Sequence, residues 1–259
     1  KTGKPKKVAV IGGGIGGMEA ARVLKLRGHE PVIYEKDSQL GGTFIAASAE
    51  SYKGKLRELL AWYRRQMEQL GIEVHLNTKI EDLTPFEGQE IVIATGSSAR
   101  VLKGVPGHER MVEACEYLRG TPVGRRVAVI GGGLTGSEIA YELALMGKQP
   151  VIVEMKDDLI SQKGVCLANS SYLREWFALH KVPVYLETTL KAVKEGSVLC
   201  ADKEGKEIEI PCDSVISSAG YIPAPLVKQG KNIHLVGDCR QVGNLRTVIW
   251  RAYETAMKI

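Results

Sequence analysis

Two glycine-rich stretches carry the residue types and the spacing that could bind phosphate groups. The first, from Val8 to Glu35, reads VAVIGGGIGGMEAARVLKLRGHEPVIYE, and the second, from Val127 to Glu154, reads VAVIGGGLTGSEIAYELALMGKQPVIVE. They align without a gap at an offset of 119 residues, and 17 of their 28 positions are identical. A single G-x-G-x-x-G pattern is weak evidence, but two copies with matched flanks indicate that the chain binds two dinucleotides.

Each copy is typical of a strand, a glycine-rich turn, a helix and a second strand that ends in an acid. Gly12 permits a tight turn, Gly14 lets a diphosphate approach the backbone, and Gly17 lets the helix pack closely on the strand. The helix directs its free N–H groups at the phosphates, and Glu35 can accept hydrogen bonds from an adenosine ribose. The corresponding residues of the second copy are Gly131, Gly133, Gly136 and Glu154.

Two further turns follow apolar strands outside the copies. The turn at Ala94, Thr95 and Gly96 would lie at the carboxyl edge of a parallel sheet, where ligands of such sheets bind. Gly237 and Asp238 follow the last strand. Asp238 could hold the polyol chain of a flavin, with the next helix directed at the flavin ring, or it could cap that helix. Hydride transfer from nicotinamide to flavin needs stacked, dry geometry and no protein acid or base, so we predict no catalytic side chain.

The order of the elements predicts an α/β protein with two Rossmann-like three-layer nucleotide-binding domains, the second inserted in the first. The second copy is complete by about residue 215, and a strand, a Gly-Asp turn and a helix then remain without a glycine-rich turn of their own. We expect these elements to return to the first domain. The predicted FAD-binding domain is 1–121 plus 216–259, and the predicted NAD(H)-binding domain is 122–215.

Composition argues against several other classes of protein. The net charge of +5 comes largely from Lys1, Lys4, Lys6 and Lys7, so we expect neither a nucleic-acid groove nor a membrane-binding face. No apolar run approaches the ~20 residues of a membrane span and no signal peptide opens the chain, so we expect a cytoplasmic protein. The five cysteines form no C-x-x-C pair and no metal-ligand spacing, and we predict no metal site.

The acid that ends the second copy also bears on the choice of nicotinamide cofactor. A 2′-phosphate beside Glu154 would meet like charge, and the neighbours Met155 and Lys156 provide no arginine fork to receive it. We therefore expect NADH rather than NADPH.

The combined motifs resemble those of a known superfamily. The two V-x-V-I-G-G-G copies, the A-T-G turn and V-G-D together look like the two-dinucleotide flavoproteins typified by glutathione and thioredoxin reductases, although the redox cysteine pair of those enzymes is missing. Two stretches closely resemble the C-terminal part of the NADH:flavin oxidoreductase family, which includes 2-enoate reductase, 2,4-dienoyl-CoA reductase, bile-acid-inducible oxidoreductases and trimethylamine dehydrogenase. These are QLGGTFIAASAESYKGKLRELLAWYRRQMEQLGIEVHLNT and GDCRQVGNLRTVIWRAYETAMKI.

This resemblance covers nearly the whole chain and implies an electron-transfer function. Family members pass hydride from NAD(P)H to FAD, and electrons then pass through a 4Fe-4S cluster to FMN in an N-terminal barrel, where an enoate or enone is reduced. Because the barrel and its cysteine motif are missing here, we expect a fragment of a longer enzyme. The opening KTGKPKK would be the end of a linker, or alternatively a processed or tagged N-terminus.

The resemblance also assigns residues. Gly16, Glu35, Thr43, Lys53 and Ile80 match family FAD contacts, although Lys53 could instead be a solvated lysine. In the wider superfamily the acid at Glu138 faces the nicotinamide, and the alternative is a glutamate on a helix surface. The predicted FAD contacts are Gly12, Gly14, Gly16, Gly17, Glu35, Lys36, Gly42, Thr43, Lys53, Ile80, Ala94, Thr95, Gly96, Gly237 and Asp238. The predicted NADH contacts are Gly131, Gly133, Leu134, Thr135, Gly136, Glu138, Glu154 and Gly220.

Two other functions stay open at this point. Trimethylamine dehydrogenase resembles this region but holds ADP where FAD would lie, so the chain could be a nucleotide-binding structural module without redox turnover. It could also be a free-standing NADH oxidase that donates to oxygen or to a small carrier.

Overall fold

The computed structural model describes residues 1–259 and contains fifteen strands and seven α-helices. The strands are β1 Lys7–Ile11, β2 Glu30–Tyr34, β3 Glu73–His75, β4 Glu90–Ile93, β5 Ser97–Ala99, β6 Val112–Glu113, β7 Arg126–Ile130, β8 Gln149–Val153, β9 Val184–Tyr185, β10 Thr189–Lys194, β11 Ser197–Ala201, β12 Glu207–Pro211, β13 Ser214–Ser217, β14 Tyr221–Pro223 and β15 Ile233–Leu235. The helices are α1 Ile15–Arg27, α2 Phe44–Ala47, α3 Gly54–Gln69, α4 Ala114–Leu118, α5 Leu134–Leu145, α6 Leu167–Leu179 and α7 Leu245–Lys258. Short 3₁₀ turns lie at Thr84–Phe86, His108–Arg110 and Gly237–Cys239.

The chain divides into two compact units. The first unit is Lys1–Ser48, Lys53–Ser98 and Tyr221–Ile259, and the second unit is Ala49–Tyr52 and Ala99–Gly220. The first unit is therefore built from segments on both sides of the second in the sequence. None of the helices is long and apolar enough to cross a membrane.

The first unit contains a five-stranded parallel sheet in the order β15-β4-β1-β2-β3. Helix α1 packs against both α3 and α7. Alternate residues of β1 point to opposite faces of the sheet: Val8 and Val10 lie in the cluster with these helices, whereas Ala9 and Ile11 pack with Phe86. Because both faces are covered, β1 is a continuous apolar run after its first residue.

The second unit repeats this plan with a third layer of strands. Its parallel sheet has the order β6-β13-β7-β8-β9, and β10, β11 and β12 form an antiparallel meander. In β7, Val127 and Val129 pack in the cluster with α5 and α6, and Ala128 and Ile130 pack in the cluster with the meander. The second unit is thus a helix layer, a parallel sheet and a β layer.

This division corrects the boundaries that the sequence predicted. Residues 99–121 and 216–220 were assigned to the FAD-binding domain, but they lie in the second unit. The physical reason is strand pairing: β13, which includes Ile216, lies between β6 and β7 in one sheet, with Ile216 opposite Val112 and Val129. A short strand such as β6 carries no periodic signal in the sequence, so its place in that sheet could not be foreseen.

Candidate functional site

The glycine turn of the first unit requires glycine at two positions. Gly12 has a φ of +106°, and a Cβ there would lie 2.4 Å from the carbonyl oxygen of Ala94. A Cβ on Gly17 would lie 1.9 Å from the carbonyl oxygen of Gly12, so α1 can approach the sheet only without a side chain here. At Gly14, in contrast, a Cβ would meet nothing within 4 Å. Gly14 thus leaves open space above the first turn of α1.

Gly14 precedes α1 as its N-cap residue and supplies no side chain to cap it. Backbone N–H groups of a first helical turn that have no capping side chain suit a phosphate, both by hydrogen bonding and by the helix dipole. The residues present therefore fit the diphosphate of a dinucleotide.

The second unit has the same geometry at the same offset. Gly131 also has a φ of +106°, and a Cβ there would lie 2.2 Å from the carbonyl oxygen of Ser218. A Cβ on Gly136 would lie 1.9 Å from the carbonyl oxygen of Gly131, and Gly133 precedes α5 without a capping side chain. Leu134 and Thr135 form the first turn of α5, where a phosphate would meet their backbone.

The two terminal acids are buried and are held by backbone N–H groups. Glu35 accepts from Gly13 at 2.6 Å and from Asp37 at 2.8 Å, one bond to each carboxylate oxygen. Glu154 accepts from Gly132 and from Lys156 at the same two distances. Since each carboxylate oxygen can accept more than one hydrogen bond, capacity is left for the hydroxyls of a ribose.

A loop after β2 approaches the first glycine turn. Gly41 donates from its backbone to the carbonyl oxygen of Gly13 at 2.9 Å. Gly42 has a φ of +53°, and a Cβ there would lie 3.3 Å from the Cα of Gly14. Thr43 follows as the N-cap of α2. The loop therefore brings its backbone to the place where a diphosphate would bind, and Lys36 lies exposed beside Glu35.

The A-T-G turn has a counterpart at residues 218–220 of the second unit, where the sequence predicted a contact only at Gly220. The carbonyl oxygens of Ala94 and Ser218 lie against Gly12 and Gly131 in the same way. Gly96 and Gly220 both have a positive φ. Because residues 218–220 take its place in the second unit, the A-T-G turn does not distinguish the two glycine turns. The hydroxyl of Thr95, which has alanine as its counterpart, donates to the carbonyl oxygen of Ala224 at 2.7 Å.

Asp238 is the feature that only the first unit has. Its Oδ1 accepts from the backbone of Gly243 at 3.0 Å, and the Ser97 hydroxyl donates to its Oδ2 at 3.4 Å. Asp238 does not cap α7, because Asn244 does so in a capping box with Thr247. The carboxylate is half-buried and can accept further hydrogen bonds, as a polyol chain would require.

Burial raises the pKa of Asp238 above its ordinary value of 3.8, and the hydrogen bonds from Gly243 and Ser97 oppose that rise. Sequence reasoning missed both of these partners. Ser97 lies 141 residues from Asp238 along the chain and shows no motif, so only the folded structure identifies it.

The remaining predicted residues are spread over both units. Gly16 lies buried in α1, where a Cβ would make an ordinary contact with Val248 of α7 at 3.4 Å. Lys53 is the N-cap residue of α3, and Ile80 packs at the sheet face that includes Ile11. In the second unit, Glu138 is half-buried in α5, and its backbone carbonyl accepts from the Tyr52 hydroxyl at 3.4 Å.

Three of the five cysteines have the character of structural residues. Cys200, Cys212 and Cys239 are buried, and burial raises the pKa of each thiol, to about 11 for Cys200. Such thiols stay protonated and unreactive near neutral pH. No group of three or more His, Cys, Asp or Glu side chains is placed to hold a metal ion.

The sequence model of the pyridine nucleotide-disulphide oxidoreductase family matches residues 6–249. The chain belongs to this family. Family members bind FAD and a pyridine nucleotide, which is the pair of dinucleotides that the two glycine turns predict. The chain is therefore an oxidoreductase module of the flavoprotein type, and the predicted superfamily is confirmed.

The chain is similar to two curated bacterial reductases. It is 36% identical to a cinnamate reductase of Clostridium sporogenes over 98% of its own length and 39% of that protein. It is 34% identical to a bilirubin reductase of Mediterraneibacter gnavus over 91% of its length and 38% of that protein. The chain thus spans about two fifths of the length of these relatives.

Solved structures confirm the α/β fold class. A 2-naphthoyl-CoA reductase in complex with 2-naphthoyl-CoA matches 99% of the chain with a TM-score of 0.89 and 28% identity, over 40% of that structure. A thioredoxin reductase of Lactococcus lactis matches 98% of the chain with a TM-score of 0.77 and 22% identity, over 97% of that structure. The second match shows the fold of two dinucleotide-binding domains without a further part.

Proposed function

We propose that this chain is the module through which a longer reductase takes electrons from NADH into bound FAD. The observation that carries the proposal is a difference between the two units outside their glycine turns. Each unit has a terminal acid and a helix N-terminus, at Gly14 or Gly133, that suits a diphosphate and is here called the diphosphate cradle. Only the first unit adds a carboxylate, Asp238, suited to a flavin's polyol chain. The first unit would hold FAD, and the second would hold NADH.

In the first unit, the proposed roles follow from position. Gly14, with Gly42 opposite it, would receive the diphosphate, and Glu35 would hold the adenosine ribose. Lys53, as the N-cap residue of α3, would add a positive charge near the cofactor.

In the second unit, Gly133 and the first turn of α5 would receive the diphosphate, and Glu154 would hold the ribose of NADH. The carboxylate of Glu154 is fixed by Gly132 and Lys156 and would repel the 2′-phosphate of NADPH. Glu138 would lie on the nicotinamide side of the site. No side chain is asked to transfer a proton, which agrees with hydride transfer between stacked rings.

The destination of the electrons is proposed from the relatives. A flavin, when bound, can accept two electrons as hydride and release them one at a time. We propose that a part of the parent protein with an iron–sulfur cluster and FMN receives them and reduces an enoate-type or enone-type substrate. The names of the cinnamate and 2-naphthoyl-CoA reductases support this class of substrate.

The proposal is tested with the purified chain under anaerobic conditions. The protein is expected to retain yellow FAD, and the flavin absorbance should bleach when NADH is added. A colourless protein that releases ADP on denaturation would instead identify a nucleotide-binding structural module. Rapid consumption of NADH in air by this chain alone would favour a free-standing NADH oxidase.

A further inference from the structure

The internal repeat extends beyond the acid at the end of each copy, although the sequence identity does not. At the same offset of 119 residues, Gly41 donates to the carbonyl oxygen of Gly13 at 2.9 Å, and Ile160 donates to that of Gly132 at 2.8 Å. The Leu40 side chain lies 2.4 Å from the place that a Cβ on Gly13 would take, and the Leu159 side chain lies at the same distance from that of Gly132. The loops after β2 and β8 are therefore equivalent in structure.

An arginine from a following helix fixes each loop in the same way. Arg64 of α3 donates to the carbonyl oxygen of Leu40 at 2.5 Å and to the Gln39 side chain at 3.1 Å. Arg174 of α6 donates to the carbonyl oxygen of Leu159 at 2.5 Å and to Asp158 at 2.9 Å. Both loops are thus held against their glycine turns by a guanidinium group.

The two equivalent loops differ at the residues that face the diphosphate cradle. Gly-Gly-Thr at 41–43 is replaced by Ile-Ser-Gln at 160–162. Ile160 has a φ of +50°, a left-handed conformation that disfavours a β-branched residue. The loop therefore keeps its hydrogen bond to the glycine turn although two glycines are lost, and the longer Gln162 takes the place of Thr43.

Gln162 is the side chain that reaches the cradle. Its Oε1 lies 3.5 Å and its Nε2 3.7 Å from the place that a Cβ on Gly133 would take. The corresponding place at Gly14 has no neighbour within 4 Å. Gly133 directly precedes α5, so the amide of Gln162 lies beside the helical turn that would receive a diphosphate.

We propose that Gln162 is a binding residue for the pyridine nucleotide and that its amide donates a hydrogen bond to the diphosphate. The inference rests on the proposed function of the second unit. Contacts made by backbone alone, as at Gly41 and Gly42, suit a cofactor that stays bound. A flexible, exposed side chain can close on a ligand and release it, which suits a substrate that exchanges at every turnover.

The test measures binding of NAD⁺, ADP and adenosine to the flavin-loaded protein by calorimetry. Gln162→Ala should weaken NAD⁺ and ADP about fivefold to tenfold, as expected for an exposed hydrogen bond to a charged group, and leave adenosine unchanged. Gln162→Glu should weaken NAD⁺ further, and salt should reduce that loss, because the new carboxylate repels the diphosphate. The flavin content of both variants should equal that of the wild type.

Gln149→Ala is the matched control, because Gln149 is an exposed glutamine at the opposite end of β8. If both Gln162 variants bind NAD⁺ within about twofold of the wild type, or if adenosine binding falls as much as ADP binding, Gln162 does not contact the diphosphate. If the wild type binds NAD⁺ and the Gln162 variants give either of these results, the role of Gln162 is wrong and the proposed function stands. If the wild type binds no NAD⁺, the proposed function fails and the role of Gln162 fails with it.

Discussion

The carboxylate of Glu35 accepts a hydrogen bond of 2.6 Å from the backbone N–H of Gly13. The acid at the end of the second strand is therefore part of the glycine turn as well as a candidate ribose ligand. The second unit repeats the bond at the same length between Glu154 and Gly132. One carboxylate thus fixes the turn and remains able to accept from a sugar.

Replacing this acid with its amide should weaken the fold as well as the site. In Glu35→Gln, the side-chain NH₂ must face one of the two backbone donors, Gly13 or Asp37, so one bond becomes a repulsion. We expect a loss of about 2 kcal/mol in the free energy of unfolding, the scale of a hydrogen bond to a charged group. Denaturant unfolding of the flavin-free protein measures it.

Glu58→Gln provides the control for that substitution. Glu58 is exposed and pairs only with Lys55 on its own helix, at 2.9 Å, and such pairs contribute about 0.5 kcal/mol or less. Equal stability of Glu35→Gln and Glu58→Gln would show that the buried bond to Gly13 does not stabilise the turn.

The close approach of α1 to β1 predicts a large effect at Gly17. A Cβ in Gly17→Ala would lie 1.9 Å from the carbonyl oxygen of Gly12, and backbone must move to admit it. We expect the free energy of unfolding to fall by about 2 kcal/mol or more. Gly54→Ala, at the start of α3, has only ordinary contacts and should be neutral or stabilising. A Gly17 variant as stable as the wild type would contradict the geometry.

Asp238 predicts a pH dependence whose sign follows from its burial. The pKa of this carboxyl is raised in the fold, so its favourable contribution is fully present below the unfolded pKa of 3.8 and is lost as pH rises through the folded pKa. Asp238→Asn removes the buried charge, and its amide oxygen can still accept from Gly243.

The flavin-free Asp238→Asn variant should therefore be more stable than the wild type at pH 7, and the difference should shrink as the pH falls towards 4. Denaturant unfolding at several pH values measures this difference. The same variant should retain less flavin, since a neutral amide is a weaker acceptor for polyol hydroxyls. A stability difference that grows as the pH falls would contradict the raised pKa.

The environment of Glu154 predicts how the cofactor preference can be changed. Met155 is 71% exposed directly after this acid, where a longer cation could reach a 2′-phosphate. Met155→Arg should improve the kcat/KM for NADPH about tenfold relative to NADH, because arginine binds phosphate as a fork. Leu145→Arg, an exposed position on α5, controls for added charge. Equal cofactor ratios in the two variants would place the 2′ position elsewhere.

The sequence was sufficient for the features that depend on local pattern. Identical residues at an offset of 119 predicted the two strands, the glycine turn and the closing acid of each copy, because glycine readily adopts the backbone conformation that such a turn requires. The sequence was insufficient where backbone atoms make the contacts, because any residue type supplies them. The loops 39–43 and 158–162 share only one aligned residue, a leucine at positions 40 and 159. Both loops nevertheless make the same backbone hydrogen bond to their glycine turn and accept a hydrogen bond from an arginine.

Long-range partners were also beyond the sequence. Ser218 takes the place of Ala94 through its carbonyl oxygen, which every residue type supplies, so no motif marks it. Ser97 meets Asp238 only because β4 and β15 are neighbours in the parallel sheet of the first unit. Such contacts are fixed by strand order, which the pattern of glycines did not determine.

The central claim is that the first glycine turn holds the flavin and the second holds the nicotinamide nucleotide. Gly14→Ala and Gly133→Ala test it, because both residues have a negative φ and a Cβ at either makes no contact shorter than 3.5 Å within the protein. The added methyl group would instead occupy the place of a diphosphate. The measurement is the flavin bound per chain together with the Kd for NAD⁺. Gly14→Ala should lose flavin, and Gly133→Ala should keep flavin and lose NAD⁺ affinity; the reverse pattern, or an equal loss of both ligands in both variants, would contradict the account.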